Sequence, residues 1–154
     1  REVSTYMLQL LFVCSSDRTR APIATALFLQ AAKEAGLADW TCDSAGLRTY
    51  HGQRIADGVA KVLAEVGLEP RRLGVQQLTP KLIKASDLIL CMTRDQEREI
   101  TSNFISARNK TKTLMSILRE DKDIFDPNEL PIESFRSCRE MMMPAIKELV
   151  QRLM

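Results

Sequence analysis

The chain predicts an α/β fold: one domain built on an open parallel sheet of about four strands, with helices on both faces. Three observations carry this. Leu8-Gln9-Leu10-Leu11-Phe12-Val13 and Asp87-Leu88-Ile89-Leu90-Cys91-Met92 are nearly continuous apolar runs, as expected of strands covered on both faces. Segments of helical periodicity alternate with the strand-like runs, and that alternation builds parallel sheets. With 154 residues, 45% of them hydrophobic, the chain has enough apolar material for one core.

Residues 1–6 read as a loose N-terminal tail, and 7–154 as the domain. After the strand at 7–13, residues 22–35 place Ala24, Leu27, Phe28, Ala31 and Ala35 on one helical face, with Gly36 as the stop. Trp40 to Cys42 predicts a short second strand. Ile55, Val59, Val62, Leu63 and Val66 recur at helical spacing, so 54–66 predicts a helix ended by Gly67. Leu73 to Gln77 reads as a short strand, and Pro80 to Ala85 as a short helix. After the strand at 87–92, Thr93 caps a polar helix over 94–103. Thr111 to Met115 predicts an edge strand. Phe135, Cys138, Met142, Ile146, Leu149 and Leu153 form the stripe of a last helix, and Pro144 within it predicts a kink or break near 140–144.

A net charge of +2 with no Lys/Arg run gives no basis for a nucleic-acid partner. The longest apolar run is too short to span a bilayer, and its flanks do not suit a signal peptide, so no membrane partner is expected and the cytoplasm is the expected location. The four cysteines form no Cys-x-x-Cys pair, and there is one histidine, His51; neither a metal site nor a cofactor is expected. A papain-like pairing of Cys14 with His51 has no support in the spacing. Oligomeric state is not encoded legibly.

Chemistry concentrates at Cys14. It ends the first strand, Arg20 follows six positions later, and Pro22 opens a helix, where its missing N–H costs nothing. Such a strand–loop–helix turns backbone N–H groups inward and adds the positive end of a helix. A cysteine in that field tends toward the thiolate, and an arginine fork suits two oxygens of a bound phosphate. Phosphoryl transfer through a cysteine follows. The alternative is a buried strand-end thiol of no chemical consequence. Cys42 and Arg48 have the same spacing, but loop residues follow Arg48, which argues against that pair. A cysteine-based phosphatase also needs a proton donor for the leaving oxygen. Asp126-Pro127, in a polar loop before the last helix, is the best candidate, although Asp-Pro turns are common. Parallel sheets bind ligands at the carboxyl ends of their strands, where Cys14 falls.

Taken together, these pieces resemble the low-molecular-weight protein tyrosine phosphatase family over nearly the whole chain from residue 7. The matching motifs are Leu11-Phe12-Val13-Cys14, Arg20-Ala21-Pro22, Ser44-Ala45-Gly46, Thr49-Tyr50-His51-Gly52, Cys91-Met92-Thr93 and Asp126-Pro127. The resemblance implies a phosphotyrosine phosphatase I-like fold. It also implies hydrolysis of a phosphorylated protein or small aryl phosphate through a phosphocysteine. Cys14 would then be the nucleophile, Arg20 the phosphate clamp and Asp126 the acid and then the base. Ser15, Ser16, Asp17, Arg18 and Thr19 would form the phosphate loop. Ser44 would brace it, and Tyr50 would wall the pocket.

The loop departs from the family's usual Cys-x-Gly-Asn-x-Cys-Arg-Ser. Ser16 replaces a glycine, which predicts backbone strain. Asp17 replaces a bracing asparagine and adds a charge that repels phosphate, which Arg18 can neutralise. Thr19 replaces the second loop cysteine. Ala21 removes a hydroxyl that would hydrogen-bond the thiolate. Asn128 and Glu129 stand where tyrosines often follow Asp-Pro. These losses define an alternative, a pseudophosphatase that binds anions with little turnover. Two other activities share the fold. Arginine phosphatases favour a small threonine at the position of Arg18. Thioredoxin-coupled arsenate reductases need further cysteines that this chain does not place nearby.

Overall fold

Leu8–Cys14 form β1, the centre of the molecule, and its alternation sets the layers. Leu10 and Phe12 point to one face of the sheet, Leu11 and Val13 to the other, and all four are fully buried. The computed structural model describes residues 7–154, so the expected tail at 1–6 lies outside the described residues. The remaining elements are α1 (Arg20–Glu34), β2 (Trp40–Gly46), α2 (Asp57–Ala64), α3 (Pro80–Ala85), β3 (Leu88–Cys91), α4 (Arg94–Asn103), β4 (Thr111–Thr113) and α5 (Ile132–Leu153). The strands lie in the order β2-β1-β3-β4, with every pair parallel.

One core packs α1, α2 and α5 on the Phe12 face, where Phe12 and Phe28 meet edge-on with centroids 6.3 Å apart. A smaller core packs α3 and α4 on the Leu11 face, around Ile83, Ile89 and Ile100. Each fully buried side chain of this size contributes about 1.5–3 kcal/mol. Helices on both faces and four parallel strands are as the sequence predicts. The chain leaves β1 toward β2 on one side and reaches β3 on the other. The crevice at the carboxyl ends of β1 and β3 is therefore a topological switch point, where such sheets hold ligands.

Four local expectations differ. β2 runs to Gly46 rather than Cys42, because each of its seven residues pairs in register with β1, from Leu8–Trp40 to Cys14–Gly46. The helix expected from 54 begins at Asp57, because Ile55 N–H donates to Leu73 O and Arg54 bridges Gly74. Residues 73–77 form isolated bridges instead of a strand, their hydrogen bonds being shared between Gly46 and residues 53–55. α5 continues through Pro144 without a break. Pro144 and Glu140 are both exposed, so the turn that lacks a hydrogen bond lies on the outer side of α5. Meanwhile the stripe Phe135, Cys138, Met142, Ile146 and Leu149 is held in the core.

Candidate active site

β1 delivers Cys14 to the carboxyl edge of the sheet, and α1 begins six residues later at Arg20. The intervening loop rests on the end of β2. Leu47 N–H donates to Cys14 O, Arg48 N–H to Ser15 O, and Ala56 N–H to Arg18 O. Gly46 passes directly beneath. A Cβ there would stand 2.6 Å from the Ser16 carbonyl carbon and 2.7 Å from Asp17 N, so only glycine fits. Asp17, not Ser16, takes the left-handed conformation, with φ 58°. The strain expected at Ser16 is absent, because the positive φ falls on a residue type that tolerates it.

The Cys14 sulfur is buried, with the backbone N–H groups of Ala21 and Asp17 oriented to favour its charged form. Burial pushes its thiol above the ordinary cysteine value, Arg20 and the two N–H groups pull it down, and Asp17 pushes it up. The unopposed drift to thiolate expected from loop and helix is thus offset by burial.

Arg20 is 4% exposed. Its Nη1 donates to Ile124 O at 2.9 Å and its Nη2 to Ser15 Oγ at 3.4 Å. Its Nε–H is buried without a partner among the described residues. Such a donor is costly unless something accepts it. Ile124 is itself fully buried and donates its N–H to Met92 O, so it pins the following loop against the end of β3. Asp126 is thereby placed over the loop. Its Oδ2 lies 3.6 Å from Arg20 Nη2, and its Oδ1 accepts from Thr19 Oγ1 at 2.8 Å and Asn128 N–H at 3.0 Å. Thr19 thus ties the loop to Asp126.

Arg72, rather than the expected Arg18, neutralises Asp17. Asp17 is fully buried, and its Oδ2 accepts from Arg72 Nη2 at 3.2 Å and Gln76 N–H at 2.9 Å. Arg72 Nη2 also donates to Ser44 O at 2.6 Å and to Ser44 Oγ at 3.4 Å, and its Nε donates to Asp43 Oδ1. Burial pushes the Asp17 carboxyl up to about 6, against the pull of Ser44 and Arg72. Arg18 turns outward, donating from Nε to Arg54 O at 3.0 Å and from Nη1 to Asn128 Oδ1 at 3.1 Å.

The sequence reading missed Arg72 and Gln96. Gln96 Oε1 accepts from the N–H groups of Met92 and Thr93, and its Nε2 donates to Ser15 Oγ at 3.1 Å. The pattern Thr93-x-x-Gln96 is a capping box that folds this side chain back toward the loop, and it was readable. Arg72 carried no local signal. Ser44 reaches the loop through Arg72, whose Nη2 is shared between the Ser44 oxygens and Asp17 Oδ2. Tyr50 is 75% exposed, and no hydrogen bond links its side chain to the described residues. Among those residues, no group of three or more His, Cys, Asp or Glu is placed to hold a metal.

A family model for the low molecular weight phosphotyrosine protein phosphatases matches residues 9–154. The chain belongs to this family. A member from Geobacillus stearothermophilus, named a protein-arginine-phosphatase, is 31% identical over 94% of this chain and 95% of its own. Another, from Ralstonia solanacearum, is named a probable low molecular weight protein-tyrosine-phosphatase and is 32% identical over 94% of both chains. The crystal structure of the family member from T. tengcongensis superposes with a TM-score of 0.88 at 26% identity, covering 94% of this chain and 99% of that one. The fold and the enzyme class of this family, cysteine-dependent protein phosphatases, are those the sequence predicted.

Proposed function

We propose that the chain hydrolyses phosphotyrosine, or another aryl phosphate presented by a phosphorylated protein, through a phosphocysteine on Cys14. The observation that carries this is Arg20. A buried arginine with an unpartnered Nε–H stands beside a strand-end cysteine on which its positive charge acts. A bound phosphate would accept from that donor and from the loop 15–19.

In the first step the Cys14 proton passes to an oxygen of the incoming phosphate dianion. The Cys14 sulfur attacks phosphorus, and the bond to the aryl oxygen breaks. Asp126 gives its proton to that oxygen. In the second step water attacks phosphorus and gives a proton to Asp126, the S–P bond breaks with its electron pair going to sulfur, and the Cys14 thiolate takes back the proton that the phosphate carried as phosphate is released. Asp126 Oδ1 accepts from Thr19 and Asn128, so Oδ2, 3.6 Å from Arg20 Nη2, is the oxygen that would carry the proton. Ser44, Arg72 and Gln96 brace the loop. Tyr50, the aromatic residue of the Thr49-Tyr50-His51-Gly52 motif, is assigned to the pocket wall.

Two relatives are named protein-arginine-phosphatases, so phosphoarginine is the second reading. Arg18, half-buried at the loop's lip, favours an aryl group, because a guanidinium substrate would meet a like charge. The four cysteines are all free, which suits a reducing compartment such as the cytoplasm. No helix among the described residues is long and apolar enough to cross a membrane. Nothing in the braced loop favours a pseudophosphatase. The test is turnover of a simple aryl phosphate, which Cys14→Ser should abolish. Competition of phosphotyrosine and phosphoarginine peptides should release phosphate faster from the former; the reverse order would transfer the assignment to phosphoarginine.

A further inference from the structure

A second concavity adjoins the phosphate loop and shares Arg18 with it. It has a volume of about 510 Å³ and is lined by Arg18, Arg54, Ile55, Ala56, Asp57, Ala60 and Leu73. Its floor is apolar: Ile55 and Ala56 are buried, while Leu73 is 51% exposed along one wall. Single exposed leucines are ordinary. This one faces a cavity that meets the catalytic loop at Arg18. The rim is cationic on balance. The Arg54 side chain is exposed and makes no hydrogen bond or ion pair among the described residues, although its backbone carbonyl holds Arg18. Arg18 uses Nε and Nη1 for Arg54 O and Asn128, leaving Nη2 without a partner among those residues. The one carboxylate on the rim, Asp57, sits in the first turn of α2, where the helix dipole already favours it.

We propose that this concavity is a subsite for the polypeptide flanking the phosphorylated residue, selecting an apolar side chain next to a carboxylate. The apolar side chain would cover Leu73, Ile55 and Ala60. The carboxylate would meet Arg54 and the open edge of Arg18. The occupant is fixed by the residue the cavity shares with the phosphate loop, Arg18, and by charge complementarity. This rests on the phosphatase reading for the phosphate's position.

The test uses the Cys14→Ser chain, which binds without turning over, and two phosphotyrosine peptides. One is flanked on both sides by leucine and glutamate, the other by alanine and lysine. Fluorescence polarisation should show the first bound about five- to tenfold tighter, with the gap narrowing as salt rises. Arg54→Glu should erase or reverse the preference. Leu73→Ser, at a half-exposed position, should weaken the first peptide about threefold. Equal binding of the two peptides, no measurable binding, or a preference that survives Arg54→Glu would overturn the subsite. Aryl phosphate turnover by the chain with Cys14 intact reports on the catalytic reading separately. Absence of turnover with the peptide preference intact would remove that reading and leave the subsite standing.

Discussion

Cys14 and Arg20 are separated by the same five residues as Cys42 and Arg48, and the two segments lie on neighbouring strands. Cys14 is the last residue of β1, so the chain is free to curl and start α1. Cys42 is the third residue of β2, opposite Leu10, and four more residues stay extended before the strand ends. That difference of four residues decides everything downstream. Arg20 is folded back under the loop and is 4% exposed. The Arg48 side chain is 68% exposed and reaches Glu99 at 2.8 Å instead. Burial pushes the Cys42 thiol far up and Asp43 adds to it, eased by Thr25 and Arg71, with no arginine from its own segment beside it. The second segment is not idle, however: its Ser44 and Gly46 are the platform on which the first closes. Spacing in sequence therefore carries chemistry only when the strand ends at the cysteine.

The sharpest way to break this contrast is to exchange arginine for lysine in each segment. Arg20→Lys removes the planar fork and should lower kcat/KM for an aryl phosphate about a hundredfold or more. Arg48→Lys should leave it unchanged, since a surface pair contributes little. Comparable losses in both would show that the second segment also touches substrate. Asp126→Asn comes next. It should slow a substrate with a poor leaving group by about tenfold or more and spare one with a good leaving group, because only the former needs the proton. Equal slowing of both would make Asp126 structural.

The smallest expected effects concern the brace that the second segment lends to the first. Arg72→Gln leaves Asp17 buried beside fewer partners. Because Arg72 is 26% exposed, the loss should be about 2 kcal/mol rather than that of a fully buried pair. Asp17→Asn in the same chain should recover part of it. Asp17 also makes stability depend on pH. Its folded-state pKa is raised, so the stability it adds is full below the ordinary carboxylate pKa and lost as pH rises through about 6. The wild-type Tm should therefore rise on acidification from about pH 7 to about pH 5, and Asp17→Asn should flatten that rise. An unchanged slope in the variant would mean that Asp17 does not titrate in this window.

β1 was legible because burial on both faces leaves an unbroken apolar run. Most of β2 was not, because it is an edge strand whose polar Thr41, Asp43 and Ser44 are placed by pairing with β1 alone. Cys14, Arg20 and Asp126 are brought together as the motifs suggested, although Asp126 arrives through Ile124, whose anchoring role has no sequence signature. The Asp17–Arg72 pair joins residues 55 apart through a loop of bridges and bends, beyond the reach of any local pattern. Arg18 was misassigned by proximity: it is adjacent in sequence to Asp17, but the left-handed turn at Asp17 helps send the two side chains to opposite sides.

Of the two equally spaced cysteines, Cys14 takes the phosphate in the proposed reaction. The most direct measurement is an acid-quenched single turnover with a radiolabelled aryl phosphate, followed by digestion and mapping of the labelled peptide. The label should lie on the peptide containing Cys14 and be lost in Cys14→Ser. Label on Cys42, or product release with no labelled cysteine under conditions that trap the intermediate, would contradict it.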